Sequence, residues 1–133
     1  MKIIFLDIDG IIKNPTNHSE WFSDSIMLII DLCVRTNSRI VIASNWKLLK
    51  GTEFFNSMLN GMVIGATPDI HAPAAEHCKE LEVLDYLKQH EVDDWIAIDD
   101  RAYEYPRTAH KLVLVEGGRF TNEDFNECLK RLL

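Results

Sequence analysis

The sequence predicts an α/β domain in which helices cover both faces of a mainly parallel five-stranded sheet. Three observations carry that expectation. Short apolar runs alternate with segments of helical spacing from one end of the chain to the other. The first run, Ile3 to Leu6, is continuous rather than alternating, as expected of a central parallel strand buried on both faces. The chain has 133 residues, 47% of them hydrophobic, which suits one domain with one core.

Taken in order, Lys2 to Asp7 is the first strand. Ile11 and Ile12 stay apolar beyond a turn at Asp9 and Gly10, and Asn14 to His18 reads as a loop. Helical spacing runs from Phe22 through Ile26, Ile29, Ile30 and Cys33, with Ser19 or Ser23 as the expected cap. Arg39 to Ala43 is the second strand and ends at Ser44 and Asn45. A short helix is expected from Thr52 to Leu59, stopped near Asn60 and Gly61. Met62 to Ile64 is the third strand, and Gly65 to Pro73 a loop. Glu76 to Lys88 has helical spacing through Leu81, Leu84 and Leu87. Trp95 to Ile98 and Lys111 to Val115 complete the sheet. Gly117 and Gly118 turn the chain, and Thr121 with Asp124 opens a last helix through Phe125, Cys128, Leu129 and Leu132. There is no internal repeat, low-complexity segment or long linker, so residues 1–133 read as a single domain.

Composition narrows the function classes. A formal net charge of -7 disfavours a protein that grips nucleic acid through a basic surface, although a local patch from Lys47, Lys79, Arg101 and Arg107 is compatible with it. Cys33, Cys78 and Cys128 are widely spaced and odd in number, which argues against a disulfide scaffold or structural zinc site and for a reducing compartment. The first residues lack a signal peptide's pattern, and no apolar run reaches the roughly 20 residues that cross a bilayer. The expectation is a soluble cytoplasmic protein.

Asp7 and Asp9 raise the chemical question. Residues two apart on a strand share a face, and two carboxylates that close make each other costlier to ionise. A cation between them, or a proton on one, relieves the repulsion; a plain Asp-Gly turn is the structural alternative. Two further strands also end in polar groups, Ser44 with Asn45 and Asp99 with Asp100. In an open α/β sheet the C-terminal strand ends line one crevice, so these residues should converge.

The four motifs FLDIDG, IVIASNW, HCKELEVLDYL and WIAIDD, in this order and on these elements, resemble those of the haloacid dehalogenase-like (HAD) superfamily of phosphohydrolases. The resemblance spans nearly the whole chain and implies a three-layer Rossmann-like core. By that resemblance Asp7 is the nucleophile that forms an aspartyl-phosphate, and Asp9 the general acid and then base. Ser44 and Lys79 complete the catalytic set, and with Asn45 and Gly10 they surround the phosphate. Asp7, Asp99 and the backbone carbonyl of Asp9 bind Mg2+, with Asp100 supporting the metal shell. Oxygen ligands suit Mg2+, and phosphoryl transfer needs positioned charge more than covalent machinery.

Lys47 and Arg101 are alternative site cations, and Glu104 is a further acid of lower rank. His71 and His77 are weak candidates for substrate contact, and Trp46 is placed to rim the crevice. Neither usual cap insertion point has room for a full cap, which leaves Ile11 to Phe22 as the only flap. Capless relatives act on large phosphorylated partners, including proteins and nucleic acid ends. The expected activity is therefore Mg2+-dependent phosphomonoester hydrolysis on a phosphorylated substrate, with a nucleic acid end weakly disfavoured by charge. The alternatives are a phosphate- or metal-binding module with little turnover and a phosphoryl-accepting regulator.

Overall fold

The computed structural model describes residues 1–17, 19–73 and 78–133. Its sheet has five strands: β1 (Lys2–Leu6), β2 (Ser38–Ile42), β3 (Val63–Ala66), β4 (Asp94–Asp99) and β5 (Leu112–Leu114). Their order is β3-β2-β1-β4-β5, and every pair is parallel. The chain thus winds outward from β1 to β3, then returns to the other side of β1 to lay down β4 and β5. The reversal lies between β1 and β4, where an open parallel sheet forms its ligand crevice.

Four helices cover the sheet: α1 (Ser23–Thr36), α2 (Thr52–Met58), α3 (Lys79–Gln89) and α4 (Asn122–Leu132). Alternate residues of each strand supply the two cores, as the pleat requires. Ile4, Leu6, Ile40, Ile42, Ile96 and Ile98 face one side, where Ile29 and Leu32 of α1, Phe55 of α2 and Phe125 and Cys128 of α4 meet them. Ile3, Phe5, Val41 and Ala97 face the other, under Val83 and Tyr86 of α3. Each fully buried aliphatic side chain stabilises the fold by about 1.5–3 kcal/mol, so the central strands anchor the whole molecule. The rings of Tyr86 and Trp95 meet Phe5 edge-on, each at 5.6 Å.

Several boundaries depart from the sequence expectations. β2 starts one residue early and β3 runs on to Ala66. Phe22 occupies the N-cap position of α1 without a side-chain cap, in place of either serine. The entry to that helix is fixed by packing and backbone instead: Phe22 is buried, and its N–H donates to Ile12 O at 2.8 Å. Asn60 and Gly61 take positive φ after α2, as a helix stop does. Asp124 accepts from the Thr121 N–H at 2.9 Å and opens α4 as expected. Helix α3 begins at Lys79, and Glu76 lies outside the described residues.

The connection between β1 and α1 packs against the body of the protein. Ile11 and Ile12 are fully buried, and the Phe120 N–H donates to Ile11 O. The three cysteines are free and buried. Burial pushes the Cys33 and Cys128 thiols up to about 12, which leaves them inert packing groups. Among the described residues no helix is long and apolar enough to cross a membrane.

Candidate active site

Strand register brings the acids together. Leu6 pairs with Ile98 of β4 and with Ile42 of β2, so the residues just past β1 stand level with the ends of both neighbours. The backbone continues the ladder: the Asp7 N–H donates to Ile98 O at 3.0 Å, and the Ala43 N–H to Leu6 O at 2.9 Å. Asp7 therefore emerges beside Asp99 on one flank and Ser44 on the other.

Lys79 joins the first two. Its Nζ lies 2.7 Å from Asp7 Oδ1 and 2.9 Å from Asp99 Oδ2. The lysine reaches the acids because it is the first residue of α3, and its N–H is held by Glu104 Oε1 at 3.1 Å. Burial alone would push the Lys79 ammonium down. The carboxylates of Asp7 and Asp99 more than offset that and hold it above its ordinary value, so it stays charged. Asp7 is pushed up to about 7. Burial is the main cause; Lys79 pulls the other way and the charge of Asp99 adds to the rise. One ammonium does not neutralise two buried carboxylates, and Asp7 takes a proton readily unless a further cation arrives.

The residues for such a cation are present. Single carboxylate oxygens of Asp7, Asp99 and Asp100 lie within 4.8 Å of one another, the one cluster of this kind among the described residues. All are hard oxygen donors, as Mg2+ requires. The buried Asp100 Oδ1 has no hydrogen-bond partner. Burial, a hydrogen bond with Asp99 and the charge of Asp99 raise the Asp100 carboxyl above its usual range. Gly10 admits this carboxylate: its φ is +82°, and a Cβ there would collide with Asp100 Oδ2. Asp99 Oδ1 accepts from the Arg101 N–H at 3.1 Å, which fixes the remaining torsion of that acid.

Asp9 stands apart from the three-acid cluster. Trp46 Nε1 donates to its Oδ2 at 3.1 Å, and Lys13 Nζ lies 3.3 Å from its Oδ1. This leaves the backbone carbonyl as the group Asp9 has to offer a cation. Ser44 is buried and caps the 3-10 turn Asn45–Leu48 by accepting from the Trp46 N–H at 3.2 Å, so its own hydroxyl proton is free for another acceptor. A cleft of about 280 Å3 collects Asp7, Asp9, Ser44, Asn45, Trp46, Lys79, Arg101 and Glu104. A larger groove of about 760 Å3 lies between α1 and the start of α4, but no acid cluster opens into it.

Of the three candidate cations, Lys79 bridges the acids. Lys47 is engaged elsewhere: its Nζ lies 2.8 Å from Glu82 Oε1 and 3.0 Å from Thr67 Oγ1, with both charged side chains nearly buried. Arg101 is exposed at the rim. Glu104 supports Lys79 through its backbone. His71 is exposed beside Asp69, and His77 lies outside the described residues. Sequence reasoning gave no role to Lys13, Trp21, Glu80 or Glu82. Glu80 is fully buried and accepts from the N–H groups of Arg107 and Thr108 at 2.8 and 2.7 Å. Charged and apolar residues mix around Glu80 and Glu82, and a polar loop follows Lys13, so the local sequence carried no signal of their burial and only the fold names their partners.

Comparison with known proteins returns one family. The description "HAD domain in Swiss Army Knife RNA repair proteins" matches residues 3–125. No curated protein and no solved structure matches the chain. The family match covers the sheet except Lys2 of β1, together with the whole cleft, and the chain belongs to this family of HAD domains.

Proposed function

We propose that the protein is an Mg2+-dependent phosphomonoester hydrolase that works through an aspartyl-phosphate, with a terminal phosphate of RNA as its substrate. Family membership supports phosphohydrolase-type chemistry, and the RNA repair context in the family description supports the choice of substrate. One observation carries the chemical reading: a carboxylate, Asp7, shares a buried ammonium with Asp99 at the mouth of the switch-point crevice. The net charge of -7 suits recognition of a single phosphorylated end better than of a long polyanion.

In this mechanism Lys79 holds Asp7 Oδ1, and the other Asp7 oxygen attacks phosphorus in line with the leaving oxygen. The bond from phosphorus to that oxygen breaks, its electron pair goes to the leaving oxygen, and Asp9 supplies the proton. Asp9, now a carboxylate, takes a proton from water as the water oxygen attacks phosphorus. The acyl-phosphate bond breaks, its electron pair returns to Asp7, and inorganic phosphate leaves. Ser44 and Lys79 donate to the equatorial oxygens, where charge accumulates. Asp7, Asp99, Asp100 and the Asp9 carbonyl would hold Mg2+, whose charge would let Asp7 stay ionised. Among the described residues no separate cap covers the cleft, so a bound RNA end would itself exclude water from it.

The test is phosphate release from p-nitrophenyl phosphate and from 5′- and 3′-phosphorylated oligoribonucleotides, with Mg2+ or EDTA. The expected result is metal-dependent release that Asp7→Asn lowers by about a thousandfold or more. Mg2+ binding without turnover on any of these substrates would replace the enzyme with a binding module.

A further inference from the structure

A side chain from another segment stands at each oxygen of the Asp9 carboxylate, Lys13 by Oδ1 and Trp46 by Oδ2, and neither has a catalytic role by motif comparison. We infer that Lys13 and Trp46 are positioning residues for Asp9, setting it to protonate the leaving oxygen; this rests on the phosphatase reading above. Lys13 is fully buried, which is rare for a lysine because stripping water from an ammonium costs several kcal/mol. Its position is built rather than incidental. Lys13 Nζ donates to Asn14 O at 3.0 Å and reaches Asn17 O at 3.5 Å. It sits 5.2 Å from the centre of the Trp46 ring and 6.0 Å from that of Trp21, two indoles that themselves meet edge-on at 5.7 Å. Such cation–aromatic contacts return part of the desolvation cost.

The backbone holds this lysine against Asp9. The Gly10 N–H donates to Lys13 O at 2.9 Å, and single bridges join Lys13 to Asp9 and to Trp21. Lys13 therefore approaches one Asp9 oxygen from the β1–α1 connection, while the indole N–H of Trp46 approaches the other from the turn after Ser44. The Trp46 hydrogen bond orients the carboxylate through Oδ2, and the Lys13 ammonium stands beside Oδ1 as an ion pair. Each carboxylate oxygen has two acceptor directions; Trp46 takes one on Oδ2, and Oδ1 accepts no hydrogen bond. The directions left over belong to the proton that is handed on. Asp9 lines the cleft and its side chain is 42% exposed, so that proton has access to substrate. Proton transfer tolerates errors of only about 0.5 Å and 10–20° in such a group.

The leaving group separates positioning from mere packing. p-Nitrophenolate departs with little help, whereas an alkoxide needs its proton. The experiment compares wild type, Lys13→Met and Trp46→Phe on p-nitrophenyl phosphate and on glycerol 2-phosphate, with Asp9→Asn as the reference for a lost acid. Lys13→Met is expected to lower kcat on the alkyl ester about a hundredfold and on the aryl ester less than about tenfold, with KM little changed. Trp46→Phe removes the N–H together with the pyrrole ring while retaining an aromatic side chain and the charge of Lys13; it is expected to show the same asymmetry at about tenfold. It also keeps the test open if Lys13→Met does not fold. Equal losses on both substrates in Trp46→Phe, or in a folded Lys13→Met, would reduce these residues to structural supports and overturn the inference. Absence of turnover by the folded wild type on both esters and on phosphorylated RNA would overturn the phosphatase reading and this inference with it.

Discussion

At the scale of single residues, the site depends on where a side chain is missing as much as on where charges stand. Gly10 has φ +82°, and the space a Cβ would need is filled by the Asp100 carboxylate. Gly10→Ala therefore meets two penalties, a left-handed backbone and a collision with an acid of the proposed metal site. It is expected to cost about 1–3 kcal/mol in urea unfolding and to weaken Mg2+ binding measured by calorimetry. Unchanged binding would detach Asp100 from the metal. This residue was half legible. The DxDG spacing put Gly10 near the phosphate, while its contact with Asp100 depends on β1 and β4 being neighbours, a pairing of residues far apart in the chain, such as Leu6 with Ile98. The same holds for Lys13. Nothing in ITS local sequence, apolar residues before it and a polar loop after it, tells an exposed loop lysine from a buried one between two indoles.

At the scale of elements, the site is held by buried charge between segments. Glu82 of α3 accepts from Lys47 in the turn after Ser44 and from the Ile70 N–H at 3.1 Å. One carboxylate thus ties the segment that carries Ser44 to the helix that carries Lys79. With both side chains almost wholly buried, removing one partner strands the other charge, which costs about 3–5 kcal/mol. Lys47→Met is expected to destabilise the protein by that order in urea unfolding, and the double variant Lys47→Met, Glu82→Leu to recover much of the loss. A loss below about 1 kcal/mol would mark the pair as solvated. The elements themselves were largely readable, because strands buried on both faces are continuous apolar runs and the helices carry a regular stripe. Their ends were less so. α1 enters on a packed Phe22 rather than a serine cap, and only tertiary contact decides between those.

At the scale of the whole molecule, the fold concentrates negative charge at the C-terminal ends of the neighbouring strands β1 and β4, where a cation is needed to balance it. The reversal of winding between β1 and β4 sets Asp7 against Asp99, and the metal-free protein responds by favouring a proton on Asp7, pushed up to about 7 by burial. The sign of the pH dependence follows. A carboxyl whose folded pKa is raised binds its proton more tightly folded than unfolded, so its contribution to metal-free stability is fully present below about 4 and is lost as pH rises through about 7. Mg2+ needs the ionised form and must displace that proton. Its apparent affinity should therefore fall by up to about tenfold per pH unit below 7 and level off above it. Because a ligand that binds only the folded state stabilises it in proportion to the logarithm of one plus its concentration over Kd, the rise in Tm produced by millimolar Mg2+ should be clear at about pH 8 and nearly absent at about pH 5.5. Differential scanning calorimetry with and without the ion reads both ends of that range. Asp7→Asn removes the competing proton, and its Mg2+ response, weaker throughout, should lose most of its dependence on pH. An Mg2+-induced shift of the same size at both pH values in the wild-type protein would mean that the ion binds away from Asp7.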